Sequence, residues 1–283
     1  MTHRLVTSAD GTRLAVFEAG DPDGPTVLAI HGFPDNHTVW DGVAAILGET
    51  NRFVSYDVRG AGASDKPRGR RPYLQEHLTA DLVAVLDAIA PDERVHLVAH
   101  DWGSMQTWAS LARPEIAERV ASYTSISGPS LDHAALWLRG RGHARATARQ
   151  LLASTYMAAF QLPVLPELAA RAGVIDRGAS RVGGHDVRRG PADTTHGINL
   201  YRANVLSSLL RPQPPRIGVP TLVLVPDQDP YSSPPVASQA PVGHVDDLTV
   251  EHIEGGHWVV SQHPARVAGP AAAFIEKHGQ KNA

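Results

Sequence analysis

The stretch that decides the fold is "VHLVAHDWGSM", Val95–Met105. A mainly apolar run, Val95–Ala99, leads straight into Ala99-His100-Asp101-Trp102-Gly103, a frame with small residues at its first and last positions. Small residues there let a strand turn sharply into a helix, because the backbones on either side must pass close to each other. The side chain at the centre of such a turn, here Asp101, is held out beyond the end of the strand. A carboxylate mounted in that place requires a reason.

Short β-rich runs recur on both sides: His3–Thr7, Arg13–Glu18, Thr26–Ile30, Arg52–Tyr56, Val120–Ser127, Thr221–Val225 and Leu248–Ile253. Several are almost wholly apolar, the pattern of parallel strands covered on both faces. The first two are mixed in polarity and flank Ala9-Asp10-Gly11, which predicts an antiparallel hairpin at one edge. Gln75–Ile89 sets Leu78, Leu82, Val85, Leu86 and Ile89 on one side of a helix ending before Pro91. Gly103–Ala112 and Pro264–His278 give two more helices. Strand alternating with helix predicts an α/β fold, a mostly parallel eight-stranded sheet with helices on both faces. The alternation stops at Gly128-Pro129 and resumes near Val219-Pro220, with helical patterns alone between. The expected organisation is a core domain of residues 1–128 and 216–283, with a helical cap of residues 129–215 inserted after the sixth strand.

At 283 residues, 42% of them hydrophobic, the chain can bury a sizeable core. Its formal charge of −3 gives no overall positive field of the kind that draws nucleic acid. That charge is unevenly shared: residues 129–215 hold eleven arginines and five acids, net +6, which leaves −9 for the rest. The plain expectation is a solvated helical surface that complements the acidic core. The sharper one is an entrance attracting an acidic carrier, lipid surface or substrate, with Arg139–Arg149 the place to test it. No cysteine is present, which removes disulfides, thiolate ligands and a cysteine nucleophile together. The fifteen histidines are scattered, and neither a metal site nor a cofactor is expected. "MTHRLVTSADGTRLAVF" lacks the apolar region of a secretory leader, and no apolar run reaches membrane-spanning length. A soluble, cytoplasmic chain is the expectation; monomer and homodimer both stay open.

A carboxylate nucleophile suits a particular electrophile. At pH 7 a free Asp is about 99.9% ionised and needs no base to activate it. Backside attack on a saturated carbon gives an alkyl ester, whose carbonyl water can hydrolyse. A serine attacking the same carbon would give an ether, with nothing for water to attack. Asp101 therefore points to an epoxide or an alkyl halide, rather than a carboxylic ester or amide. "LVLVPDQDPYSSP" places Asp227 and Asp229 after a candidate strand, and "HIEGGHWVVSQHP" places His257 after the last one. The order Asp101, acid, His257 is the nucleophile–acid–histidine order of the α/β-hydrolases, with His257 as general base for water. Backbone N–H groups of Trp102 and of Phe33, in "AIHGFPD", are the candidate oxyanion donors. Phe33–Pro34 is a candidate cis bond.

Six segments fall in order along the chain: "HGFPD" at 31–35, "YDVRGAGASDKP" at 56–67, "HDWG" at 100–103, "YMAAFQLP" at 156–163, "NLYR" at 199–202 and "GGHW" at 255–258. Together they resemble the epoxide hydrolases of the α/β-hydrolase fold, actinobacterial members most of all. The resemblance runs from about Leu5 to the final helix and implies a cofactor-free reaction of a small-molecule epoxide with water, giving a vicinal diol. It also implies that Tyr156 and Tyr201 reach down from the cap to hydrogen-bond the epoxide oxygen, and it favours Asp229 over Asp227 as the acid. Departures are Ala99 and Ser104 around the turn, where glycine is commoner, and Val164 after the Gln-x-Pro.

Plainer roles compete at each position. Asp101 could be a helix N-cap, and Trp102 or either tyrosine could be packing. Asp227 could make a turn with Gln228, Asp132 is a more distant acid, and His252 and His263 read as surface. His31 is expected to brace its own loop, and Asp57–Asp65 to be a structural loop without dinucleotide-binding order. Two other functions use the same frame. A haloalkane dehalogenase shares the nucleophile and histidine, but Phe33 cannot donate to a halide through its side chain. A catalytically idle binding protein of this fold is the other.

Overall fold

The computed structural model describes residues 2–183 and 189–279. Its eight strands are β1 (Thr2–Thr7), β2 (Arg13–Gly20), β3 (Thr26–Ile30), β4 (Arg52–Tyr56), β5 (Val95–His100), β6 (Val120–Ile126), β7 (Thr221–Pro226) and β8 (Leu248–Ile253). They form one sheet in the order β1-β2-β4-β3-β5-β6-β7-β8. The β1–β2 and β2–β4 pairs are antiparallel and the other five parallel, so the hairpin lies at the edge. β3, β5, β6 and β7 are buried along their whole length, as their apolar runs require.

Helices α1 (Asp41–Leu47), α2 (Gln75–Ile89), α3 (Trp102–Ser110) and α4 (Pro114–Ala117) precede β6. Between β6 and β7 come α5 (Leu131–Arg139), α6 (Ala144–Ala153), α7 (Thr155–Ala159), α8 (Leu165–Arg171), α9 (Val174–Arg181) and α10 (Pro191–Leu210), with no strand among the described residues. The chain closes with α11 (Pro234–Gln239), α12 (Val259–Gln262) and α13 (Pro264–Gly279). One sheet face packs Leu82, Val85 and Leu86 of α2 and Trp108 of α3; the other packs Val43 of α1 and Val267 and Phe274 of α13. A third cluster lies above the strand ends, where Phe33 and Trp102 meet Phe160, Ile198 and Tyr201.

Several boundaries shift by one or two residues, and two of the shifts have plain local reasons. β6 ends at Ile126 because Ser127 turns to φ +54°, out of the extended region. α3 ends at Ser110, two residues early, because Pro114 disfavours helical backbone just before it. His96 and His100 do stand four apart, but on β5, where that spacing separates them by roughly 13 Å instead of stacking them on one helix face. Among the described residues no group of three or more His, Asp or Glu side chains could hold a metal ion, and no helix is long and apolar enough to cross a membrane.

Candidate active site

Asp101 sits between β5 and α3 with φ +50° and ψ −122°, a conformation that side chains rarely adopt. Glycines make that turn fit. A Cβ on Gly103 would lie 2.1 Å from the Ile30 carbonyl oxygen, and one on Gly128 would lie 2.2 Å from that of Asp101. One on Gly32 would lie 2.3 Å from Asp101 Oδ1 and 2.5 Å from the Trp102 nitrogen. Asp101 precedes α3 but makes no side-chain cap to it. Its Oδ1 instead accepts from the Phe33 N–H at 2.7 Å, which sets the carboxylate against the turn after β3. The Phe33–Pro34 bond in that turn is cis.

His257, in the loop after β8, faces the other carboxylate oxygen: its Nε2 is 3.5 Å from Asp101 Oδ2. Its Nδ1 is 2.9 Å from Oδ2 of Asp229, in the loop after β7. Asp229 Oδ1 accepts from the N–H groups of Tyr231 and Ser232, at 2.8 and 3.0 Å. Burial alone would raise the Asp229 pKa, but the imidazolium and these N–H groups hold it below the ordinary carboxylate value. Burial would likewise lower that of His257, yet the charges of Asp229 and Asp101 outweigh it and raise the pKa to about 10. Behind His257, the Nε2 of the buried His100 donates to its carbonyl at 2.8 Å. All of these groups leave the carboxyl ends of parallel strands, where open α/β sheets gather their sites.

Tyr156 (α7) and Tyr201 (α10) come from the inserted helices. Tyr201 packs edge-on against Trp102, Phe33 and Phe160, with ring centroids 4.9, 5.2 and 5.0 Å away. Tyr156 lies 5.7 Å from Tyr201, ring to ring. Burial, with the nearby Asp101 carboxylate, raises both phenol pKa values, so both stay protonated in neutral solution.

Two cavities meet at this point. One, of about 210 Å³, is lined by Phe33, Phe160, Ile175, Tyr201 and Trp258. The other, of about 80 Å³, runs past Met105, Leu131, Leu138, Met157, Val205 and Leu209. Asp101, Tyr156, Tyr231 and His257 line both. The carboxylate and imidazole are thus the charged groups of an otherwise largely apolar space with an arm on each side.

A sharp strand-to-helix turn carrying Asp101, followed by an acid and a histidine, has the sequence order of one fold, and the family profile described as alpha/beta hydrolase fold matches residues 25–264. The chain belongs to the α/β hydrolase fold family. Within it, the chain is 38% identical over 293 aligned positions to a probable oxidoreductase, EphD, of Mycobacterium tuberculosis, covering 96% of this chain and 49% of that protein. It is 40% identical over 135 positions to epoxide hydrolase A of the same organism, covering 47% of this chain and 40% of that one. The chain thus spans about half the length, or less, of these curated relatives. Among solved structures, an α/β hydrolase in a study of epoxide hydrolases from metagenomes of hot environments superposes with a TM-score of 0.80 at 21% identity, over 97% of this chain and 98% of that one. At that identity the likeness concerns the fold.

The structure brings Asp101, His257, Asp229, Tyr156, Tyr201 and the Phe33 and Trp102 backbone into this one region of the α/β hydrolase. It leaves the competing residues outside. Asp227 pairs with His252 at the surface, Asp132 accepts from the Gln213 N–H beside α5, and His263 is exposed. His31 braces its loop through Nδ1 to the Gly32 carbonyl and through Nε2 to the Val58 N–H. In the Asp57–Asp65 loop, Asp57 fills the interior and accepts from the His37 and Ala63 N–H groups. Two groups have no signal in the motifs. Tyr231 packs edge-on at 5.0 Å against His257, and its carbonyl is held by Gln150 of α6. Arg189, ahead of α10, is ion-paired with buried Asp35 at 2.6 Å and lies over the Trp258 ring, whose N–H also donates to Asp35 at 2.9 Å.

Proposed function

We propose that this chain hydrolyses epoxides to vicinal diols through a covalent ester on Asp101, with residues 129–215 acting as a cap over the sheet domain. One observation carries the reading. A single carboxylate has one oxygen on the Phe33 N–H and the other facing the His257 imidazole, in an apolar cavity shared with two protonated tyrosines. The names of the curated relatives support an epoxide substrate for one of them and an oxidoreductase for the other; the geometry favours the hydrolase.

At rest His257 is an imidazolium between Asp101 and Asp229. An Asp101 oxygen attacks a ring carbon from behind, and the ring C–O bond breaks with its electron pair going to oxygen. That oxygen takes a proton from Tyr156 or Tyr201, and the tyrosinate recovers one from His257. Esterification removes one of the two anions that held the imidazolium, so the now neutral His257 has a lower pKa and serves as base. It takes a proton from water; the hydroxide adds to the ester carbonyl, whose oxyanion the Phe33 and Trp102 amides receive. Each such donor is worth roughly 3–4 kcal/mol to that step. The acyl C–O bond breaks, the diol leaves with the hydroxyl proton of the intermediate, and Asp101 keeps an oxygen from water. The two arms of the cavity suit an apolar epoxide carrying substituents on both sides of the ring.

The test is a trapped intermediate. His257→Gln protein incubated with a reactive epoxide is expected to gain one substrate mass, mapped to Asp101; an unmodified spectrum where wild type turns over removes the mechanism. Halide release from haloalkanes without diol formation would move the assignment to a dehalogenase. Against that outcome, the Trp102 ring packs on Tyr201 and lines neither cavity.

A further inference from the structure

Large apolar side chains are exposed unevenly. Of the fifteen exposed among the described residues, twelve lie between Leu136 and Leu210, on the inserted helices and their connections. Cationic charge is exposed in the same segment. Among the described residues of 129–215, Arg139, Arg141, Arg145, Arg149, Arg171, Arg177, Arg181 and Arg211 are exposed, and not one acid is. The acids there are engaged within the fold or at its surface: Asp132, at the groove beside α10, with the Gln213 N–H, Glu167 with Arg202, Asp176 with Thr194, and Asp193 with the Gly190 and Gly62 N–H groups. None of the eight exposed arginines pairs with a carboxylate of a described residue.

The two kinds of side chain alternate at helical spacing. Arg145, Arg149 and Leu152 follow one another along α6, Leu165, Leu168 and Arg171 along α8, and Val174, Arg177 and Arg181 along α9. The band is continuous with the cavities. Leu151 and Leu209, both exposed, line the narrower cavity. On the far side of α10, Leu206 and Leu210 line an open groove of about 740 Å³ with Leu74, Arg70, Arg71 and Arg211.

We infer that this face docks on an anionic lipid surface, with the leucines entering the acyl boundary and the arginines meeting the headgroups. Exposed patches of this kind mark interaction sites, and apolar residues interleaved with arginine are how a helix lies in a bilayer interface. Nucleic acid would use the arginines but give the leucines no apolar medium. If the site also opens epoxides, docking sets the mouth of the cavity at the surface where apolar epoxides dissolve.

The test is flotation of the full chain with vesicles of phosphatidylcholine alone or mixed with an equal amount of phosphatidylglycerol. Binding to the mixed vesicles, release by rising sodium chloride and weak binding to phosphatidylcholine are expected. A triple variant, Leu152→Glu, Leu165→Glu and Leu210→Glu, replaces residues that are 73, 62 and 66% exposed and line neither cavity. It should keep the wild-type circular dichroism and bind the mixed vesicles about tenfold more weakly or worse. The separate pair Arg171→Glu and Arg211→Glu should also lower binding and flatten its salt dependence. No binding to the mixed vesicles, or binding that neither variant weakens, overturns the inference. So does a concentration-dependent dimer of wild type that the leucine variant abolishes, or tighter binding to duplex DNA that the leucine variant leaves intact. Because flotation requires no turnover, this result and the fate of the epoxide reading are decided separately.

Discussion

Asp101, Asp229 and His257 stand on loops at the ends of parallel strands, Asp101 packed by glycines that admit no Cβ and all three held by hydrogen bonds of 2.7 to 3.0 Å. Tyr156 and Tyr201 face them from the inserted helices, ring packed against ring with centroids 4.9 to 5.7 Å apart. The sheet side has cores of its own on both faces. The inserted side shares its buried cluster with Phe33, Trp102 and Met105 of the sheet side, and α7 buries no residue fully. One half of the site is therefore built to fix charge at a point. The other half presents protonated donors from helices that close over that charge.

The largest expected effect tests the fixed half. Asp101→Asn should lower kcat on any epoxide substrate by roughly 10⁴-fold or more, because no other carboxylate among the described residues lines either cavity to form the ester; steady-state diol formation measures it. Next comes the opposing half. Tyr156→Phe and Tyr201→Phe should each cost roughly 10- to 100-fold and the pair roughly 10³-fold, the scale of general-acid assistance. A double tyrosine variant as dead as Asp101→Asn would break the comparison, since both halves would then be equally indispensable. Unequal single losses would sharpen it by naming the principal donor.

The smallest effect is on stability. The folded-state pKa of His257 is raised to about 10, above the unfolded value of about 6.5. Its contribution to stability is thus complete below about 6.5 and is lost as pH rises through about 10. Thermal melts should show Tm falling across that window in wild type and falling less in Asp101→Asn, which lacks one of the anions that raise the pKa. Equal slopes would mean that Asp101 does not hold the imidazolium.

Most of the fixed half was legible in the sequence, because strand ends and tight turns are written in local residue types. Apolar runs located β3, β5 and β7, and Gly32, Gly103 and Gly128 stand where two backbones come together. The N-cap alternative for Asp101 could be settled only by seeing where its carboxylate pointed. Tyr231 was not legible. It sits in a stretch of Asp, Pro and Ser that reads as a turn, and its approach to His257 depends on Gln150, eighty-one residues earlier. The two-armed cavity was equally hidden, since its walls come from loops and helices on both sides of the chain. Composition did reveal that positive charge concentrates in 129–215, but not that eight of its arginines are exposed while no acid of its described part is.

Arg189 ties these halves together. Its guanidinium neutralises Asp35, two residues beyond Phe33, and covers the indole of Trp258, the neighbour of His257. Lifting the inserted helices off the sheet would strand a buried anion beside that indole, a costly separation in a low dielectric. The Phe33 turn and the His257 loop would lose their common brace in the same movement, so opening the chamber and loosening its walls are one mechanical event.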